Sequence, residues 1–392
     1  MALPALLALL WSAILELTVA AATSPVPTVQ QLLAQADADA AGLNADPGQA
    51  LKVRQAPLLN RTVGHARVAY QLLYRTTDSR YDPSWAVTTL LIPRTLALPS
   101  SSSNSASNSS SSAESAVPVL SYQLPYDTCD VDASPSFAVR FGEPYGEIAP
   151  ALSRGWLVVV PDYEGPLASY AAGVQAGHAT LDGVCAVLAV ASVGTAGVSA
   201  RVALWGVTAY LNRREGAGLI PQGLLGISTQ HPDARAWILS RLKPSLRDVF
   251  LSATRMTAAQ SILAFQYQDI YGYFVGGYAD LHTPVMEMMY NVDGYIGYHG
   301  LPRMPVFIYN AIHDELIDIR DVDALVDRFC GVGANILYHR NTAGAHAQEL
   351  FDGRQRAFEW LRSVLDGTYG QRYPSIGCTV LNVTLDLAPW VG

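Results

Sequence analysis

Charged residues are scarce in this chain: they make up only 15% of 392 residues, whereas half of the residues are hydrophobic. The net charge is -8, so there is no surplus of Lys and Arg to neutralise phosphates, and the composition argues against nucleic-acid binding. A chain with this apolar content can bury a large core. It is long enough for one large α/β domain with insertions or for two domains.

Cysteines are also few, and their spacing matches no zinc-binding pattern, so disulfides in an oxidising compartment are favoured over a metal site. The four are Cys129, Cys185, Cys330 and Cys378. Four cysteines allow three pairings. We prefer Cys330–Cys378, which would tie the C-terminal tail to the core, with the other two unpaired. We expect no metal and no cofactor.

An uninterrupted apolar run of membrane-spanning length is missing as well. Residues 1–22 have the apolar run and small cleavage-site residues of a secretory signal peptide, although Lys and Arg are absent at the start and Glu16 is present. The alternative is a membrane anchor. We predict a secreted, extracellular monomer with no transmembrane segment. Glycosylation sequons at Asn60, Asn108 and Asn382 fit this prediction.

The pattern along residues 23–217 predicts the first part of an α/β core. Two strands in 66–74 and 85–92 form a hairpin, and residues 100–116, almost all Ser and Asn, form a disordered loop. Residues 30–59 are Ala-rich and are expected to be helical in part. Near-continuous apolar strands then alternate with helices, which indicates a parallel sheet covered on both faces.

Residues 218–300 interrupt this alternation and are predicted to form an inserted, mainly helical cap. Helices are expected at 232–241 and 246–265, followed by a stretch rich in Tyr, Gly and Met. That composition suits an apolar substrate tunnel or lid, or equally a plain helical core with Tyr at its rim. Residues 301–392 then complete the α/β core.

Two residues late in the chain have the order and placement of catalytic partners. Asp314 follows the strand predicted near 303–309, and His346 follows the strand predicted at 335–339. An acid and then a histidine, each at a strand end, is the order seen in α/β-hydrolases, where the histidine acts as base and the acid orients it. His313 is expected to pack elsewhere, and His178 to bond at the start of its helix.

The third partner, a serine nucleophile, is missing from its expected place. An apolar strand at 202–205 ends at a glycine, but the G-x-S-x-G turn that should follow reads Gly206-Val207-Thr208-Ala209-Tyr210. Thr208 is a poor substitute, because its β-methyl group stiffens the side chain and the flanking glycine is absent. Ser199 precedes the strand and is interpreted as a turn residue, and Ser228 lies in the predicted cap.

Several segments, in order, resemble the fungal secretory lipase family, which includes yeast lipase A. They are 70–78, 159–166, 177–183, 202–206, 311–315, 333–336 and 360–367. The resemblance implies an α/β-hydrolase fold with an inserted cap, and hydrolysis of lipid esters. It also implies that Asp314 is the triad acid, that His346 is the base, and that the backbone N–H of Asp127 helps to form the oxyanion hole.

The same resemblance shows a departure after Gly206. Roughly forty to fifty residues of the family pattern are absent. This length is enough for the serine turn (the elbow), the helix that follows it (the elbow helix) and the next strand. We therefore predict a secreted triacylglycerol or carboxylic-ester hydrolase whose chain as written has lost its nucleophile, by a flawed exon boundary. The alternatives are a non-catalytic lipid-binding homologue and an acyltransferase. The expected partner is a lipid or ester substrate at an oil–water interface.

Overall fold

Ten strands form one sheet in the computed structural model, which describes residues 11–13, 45–56, 59–95, 118–142, 146–191, 198–200, 211–295, 297–365 and 367–385. The strands are β1 (Trp11–Ala13), β2 (Ala50–Gln55), β3 (Ala66–Thr77), β4 (Pro83–Pro93), β5 (Val119–Ser121), β6 (Leu157–Pro161), β7 (Val198–Ala200), β8 (Val306–Ala311), β9 (Ile336–Asn341) and β10 (Cys378–Val383).

Helices cover the sheet and form the block between β7 and β8. They are α1 (Leu59–Thr62), α2 (Pro135–Ala138), α3 (Ile148–Ser153), α4 (Gly173–Ala191), α5 (Leu219–Ile227), α6 (Pro232–Arg241), α7 (Arg247–Leu251), α8 (Ala258–Phe265), α9 (Pro284–Met289), α10 (Ile319–Gly331), α11 (His346–Leu365) and α12 (Tyr369–Arg372). Short 3-10 turns and one π-helical turn, Tyr290–Gly294, link several of them.

The strand order is β10-β9-β8-β1-β7-β5-β6-β4-β3-β2. One edge, β2 to β4, is antiparallel, and the pairs β5–β6, β5–β7, β8–β9 and β9–β10 are parallel. Every residue of β6 and β8 is buried, as expected for strands covered on both faces. Loops at the carboxyl ends of the parallel strands therefore meet along one edge of the sheet.

The position between β7 and β8 is filled by an unexpected segment. Trp11–Ala13 pairs there with both neighbours, and both pairings are antiparallel. These three residues lie inside the predicted signal peptide. Residues 202–210, which carry the predicted strand and turn, lie outside the described residues, as does the Ser/Asn-rich segment 100–116. Ser199 lies within β7 (Val198–Ala200), so its interpretation as a turn residue was wrong.

Helix α4 covers one face of the sheet, and the Tyr74 hydroxyl donates a hydrogen bond to the carbonyl of Ala179 (2.6 Å). By length and composition its window Gly173–Val190 could cross a membrane, so the expectation of no such later segment was wrong on that criterion. More than half of the window is buried in the protein, as in the core helix of a globular domain. Helices α3 and α11 pack on the opposite face, where Ile148 and Trp360 join one cluster.

The helical block between β7 and β8 shares one large apolar cluster with β8 and β9. Phe250, Phe265, Phe274 and Met286 are almost fully buried in it, which supports the plain-core interpretation for these side chains. The single helix expected at 246–265 is in fact two helices, α7 and α8. The break occurs because Thr257 and Gln260 form a capping box that starts a new helix.

Both ends of the domain differ from the sequence expectation. Residues 50–55, inside the segment expected to be helical in part, form strand β2, and β10 was not predicted at all. The Cys330–Cys378 disulfide is confirmed and joins α10 to the start of β10. Cys129 and Cys185 are unpaired.

The disulfide encloses a sequence separation of 48 residues, and loop-closure entropy makes such a link worth about 4 kcal/mol. We expect the double variant Cys330→Ser/Cys378→Ser to lose about that much free energy of unfolding in denaturant titrations. The free, half-buried Cys185→Ser is the matched control and should change it little. A loss under about 1 kcal/mol in the double variant would show that the tail is held by other contacts.

Candidate active site

Asp314 and His346 lie together at the carboxyl ends of the adjacent parallel strands β8 and β9. Nδ1 of His346 is 2.9 Å from Oδ2 of Asp314. The Asp314 side chain is only 3% exposed and the His346 side chain 23% exposed. The acid is thus shielded from water, while the imidazole still reaches solvent.

Local backbone contacts hold both residues in place. The other carboxylate oxygen of Asp314 accepts hydrogen bonds from the backbone N–H groups of Leu316 and Ile317, both at 2.8 Å. The backbone N–H of His346 donates to Oε2 of Glu315 (3.0 Å). His346 is the first residue of α11. With Nδ1–H donated to Asp314, Nε2 is left with a lone pair that can accept a proton.

Asp127 lies on the loop after β5, three positions from β8 in the sheet order. Its φ is +45°, a left-handed conformation that is uncommon for a residue other than glycine. Both neighbours anchor the loop: the Tyr126 hydroxyl accepts a hydrogen bond from the Glu164 backbone N–H (3.0 Å), and the Thr128 hydroxyl donates to the Met256 carbonyl (2.6 Å). Strained backbone held in this way is common at functional sites.

Two buried carboxyl groups follow β6, and the sequence analysis did not single them out. Asp162 accepts hydrogen bonds from the backbone N–H (2.7 Å) and hydroxyl of Ser136, yet burial raises its pKa to about 7. Glu164 is 1% exposed, and the Tyr126 hydroxyl is the side-chain group that offsets the burial of its carboxylate. Burial, and then the charge of Asp127, raise the Glu164 pKa well above its ordinary value. Acidic residues directly after an all-apolar strand were the available signal.

The remaining sequence candidates lie elsewhere or have structural roles. Thr208 lies outside the described residues. Ser228 is buried at the end of α5, where its hydroxyl donates to the Leu225 carbonyl (3.2 Å). His178 lies inside α4, with Nδ1 3.2 Å from the Thr77 carbonyl. It was expected to bond at the start of its helix, but α4 begins five residues earlier.

Another buried polar group, also missed, connects the helical block to the sheet. Asp293, in the π-helical turn, accepts hydrogen bonds from the Ser79 hydroxyl (2.8 Å) and the Val174 backbone N–H (3.0 Å). Its second oxygen is 2.6 Å from Nε2 of His231. The carboxylate lies between serine and histidine here, so this trio is a structural tie and not a nucleophile–base pair. Within the described ranges, no cluster of His, Cys, Asp and Glu could hold a metal ion.

The strand order and the Asp–His pair define an α/β-hydrolase fold. Solved structures agree: Candida antarctica lipase A in its closed state matches with a TM-score of 0.71 and 22% identity, over 88% of this chain and 86% of that one. The rice cell wall degrading esterase LipA from Xanthomonas oryzae matches with a TM-score of 0.53 and 12% identity, over 82% and 97%. At these identities the likeness establishes the fold alone.

Sequence comparison establishes the family. A sequence model described as "Secretory lipase" matches residues 144–210 and 207–371, and the chain belongs to that family. The chain is 37% identical to a trichothecene C-3 esterase of Fusarium sporotrichioides, covering 87% of this chain and 85% of that protein. It is 30% identical to lipase A of Arthroderma benhamiae, covering 87% and 80%. The predicted family resemblance is thereby confirmed.

The family match is divided at 207–210, where the serine turn was expected. The alignment with the Fusarium esterase has 389 positions, but only 87% of this chain's 392 residues, about 341, take part in it. About 48 aligned positions therefore have no counterpart in this chain. This length is close to that of the segment inferred to be missing from the sequence.

The buried carboxyl of Glu164 predicts a stability that falls with rising pH. Below the ordinary pKa of 4.5, the Glu164 carboxyl is protonated in both the folded and the unfolded state, and the free energy of unfolding is at its full value. As pH rises from there toward the raised folded-state pKa, the free energy of unfolding falls, because only the unfolded state ionises. We expect Glu164→Gln to remove this loss, so that Tm of the variant exceeds that of the parent increasingly at neutral and higher pH. The exposed Glu215→Gln is the control. Parallel Tm–pH curves for parent and Glu164→Gln would refute the assignment.

Proposed function

We propose that this chain carries the acid–base half of a carboxylic-ester hydrolase. In the proposal, His346 is the general base, Asp314 orients it, and the backbone N–H of Asp127 is an oxyanion donor. The observation that supports it best is the Asp314–His346 hydrogen bond of 2.9 Å at the ends of β8 and β9, in a confirmed member of the secretory lipase family.

In this proposal each group has one step. Nε2 of His346 would take the proton of a serine hydroxyl as that oxygen attacks the ester carbonyl, and would return it to the departing alcohol. The buried carboxylate of Asp314 would stabilise the imidazolium that forms between these events. A donor at Asp127 would stabilise the negative oxygen of the tetrahedral intermediate. Water would then attack the acyl-enzyme by the same route.

The nucleophile itself is proposed to be absent from the chain as written, together with the elbow helix and the next strand. Three observations support this: the family match is interrupted at 207–210, about 48 aligned positions lack a counterpart, and the strand position between β7 and β8 is filled by Trp11–Ala13. Removing a signal peptide at residues 1–22 would also remove that strand. A secreted protein would therefore need the missing segment to complete its sheet.

The names of the relatives favour one class of ester as the substrate of the complete site. Proteins named as trichothecene esterases from Fusarium sporotrichioides and Stachybotrys chartarum share 37% and 33% identity with this chain, whereas lipase 2 of Candida albicans shares 29%. We favour a trichothecene ester over triacylglycerol as the substrate of the complete site. Comparing hydrolysis of a trichothecene esterified at C-3 with that of a triacylglycerol, in the chain restored as described below, tests this choice.

A second candidate is a non-catalytic ester-binding protein that keeps the fold without the chemistry. The missing serine favours it, and one relative, 28% identical, is named a probable inactive lipase of Mycobacterium tuberculosis. This candidate requires the chain as written to be soluble and folded and to bind a fatty-acyl probe without hydrolysing it. Expression as aggregate only would exclude it.

Restoring the missing segment should create activity that a single serine cannot. We expect the chain as written and Thr208→Ser to hydrolyse an activated ester no faster than buffer. A chain that receives the aligned Fusarium segment between Trp205 and Leu219 should turn over, because it regains both the elbow and the strand.

In the restored chain, Asp314→Asn should lower kcat by about 10⁴-fold, since the imidazole would then adopt the wrong tautomer. Replacing the grafted serine with alanine is the control for background hydrolysis. Turnover by the chain as written that disappears in His346→Ala would show that a nucleophile is present after all.

A further inference from the structure

Asn341, the last residue of β9, is fully buried and connects the loops that carry Asp314 and His346. Its backbone carbonyl accepts a hydrogen bond from Ile312 (2.8 Å), two residues before Asp314. Its side-chain oxygen accepts from the backbone N–H groups of Ala343 and Leu385, both at 3.2 Å. One side chain therefore holds the C-terminal tail beside β9 together with the start of the loop 342–345, which we call the histidine loop.

The side-chain amide nitrogen of Asn341 donates a hydrogen bond to Oε2 of Glu349. Glu349 lies one turn after His346 in α11 and is only 4% exposed. Its other oxygen accepts from Nη2 of Arg356 (3.1 Å). Each carboxylate oxygen of Glu349 therefore accepts a hydrogen bond. One comes from β9, which precedes the histidine loop, and the other from α11, which follows it.

Arg356 also contacts strand β9, and its guanidinium can only donate hydrogen bonds. Nη1 of Arg356 lies 2.8 Å from Nδ1 of His339, in β9. Burial lowers the pKa of His339 to about 4, so its Nδ1 accepts from the guanidinium at neutral pH. Burial also raises the pKa of Glu349 to about 7, against the hydrogen bonds from Asn341 and Arg356. Above that pH, Glu349 is an acceptor at both oxygens.

We propose that Asn341 and Glu349 are positioning residues that set the first turn of α11, and with it the imidazole of His346, against Asp314. The link crosses the histidine loop, over a sequence separation of eight residues, from the end of the strand to the first helical turn. The catalytic part of this inference rests on the role of His346 proposed above, whereas the positioning of its ring can be measured without any activity.

The polarity of the pair allows a reciprocal test. In Asn341→Asp two carboxylates face each other, and in Glu349→Gln one amide N–H group must face a donor, either Asn341 or Arg356. In the double variant Asn341→Asp/Glu349→Gln, the new amide donates to Asp and accepts from Arg356, so every contact is satisfied again. Asn335→Asp, the same change just before the other end of β9, is the matched control.

The measurement is the deshielded proton resonance of the His346 Nδ1–H group, identified by its loss in His346→Gln and recorded above the Glu349 pKa of about 7. We expect each single variant to lose or broaden the resonance, and the double variant and Asn335→Asp to keep it. An unchanged resonance in both single variants overturns the proposal. A folded double variant that fails to recover it overturns the proposal too.

In the restored chain, Asn341→Asp should lower kcat about ten- to a hundredfold with little change in KM, and the double variant should recover kcat. A proportionate rise in KM with kcat unchanged would contradict a positioning role. If the restored parent does not hydrolyse esters while the resonance follows the expected pattern, the proposed function fails and the positioning inference stands.

Discussion

An interior strand of a sheet has backbone N–H and C=O groups along both sides, and each group that is buried without a partner is costly. The position between β7 and β8 is therefore the constraint on which the rest of this structure depends. It separates the strand that leads into the expected nucleophile from the strands that carry Asp314 and His346. Trp11–Ala13 fills it in an antiparallel direction, beside two strands that otherwise belong to a parallel arrangement.

Asp314 and His346, on the far side of that position, are held by contacts that are local to β8, β9 and β10. Asp314 is held by its own turn, His346 by Asp314 and Glu315, and the tail by the disulfide and Asn341. None of these contacts requires residues 201–210. The hydrogen-bonded Asp314–His346 pair is therefore compatible with the proposed loss of the nucleophile segment.

Much of the fold could be predicted from the sequence, because its strongest signals are local. Strand β6 is wholly apolar, β8 is apolar except for Asn310, and the hairpin β3–β4 has a clear pattern. An acid and a histidine lie in the segments that follow β8 and β9. Strand β10 was missed because its side chains are largely exposed and its pairing with β9 is a long-range contact. The Asn341–Glu349 link was missed for a similar reason: neither residue is distinctive until the strand end and the helix start are brought together.

The central claim is that the elbow and its strand are missing from this chain but belong to the protein's family. Its most direct test is to sequence the genomic DNA and the mature transcript between the codons for Trp205 and Leu219. The account predicts a reading frame there that encodes a Gly-x-Ser-x-Gly turn followed by an apolar strand and that is retained in the message. A message that joins Gly206 to Val207 as written, with no such frame in the gene, would contradict it.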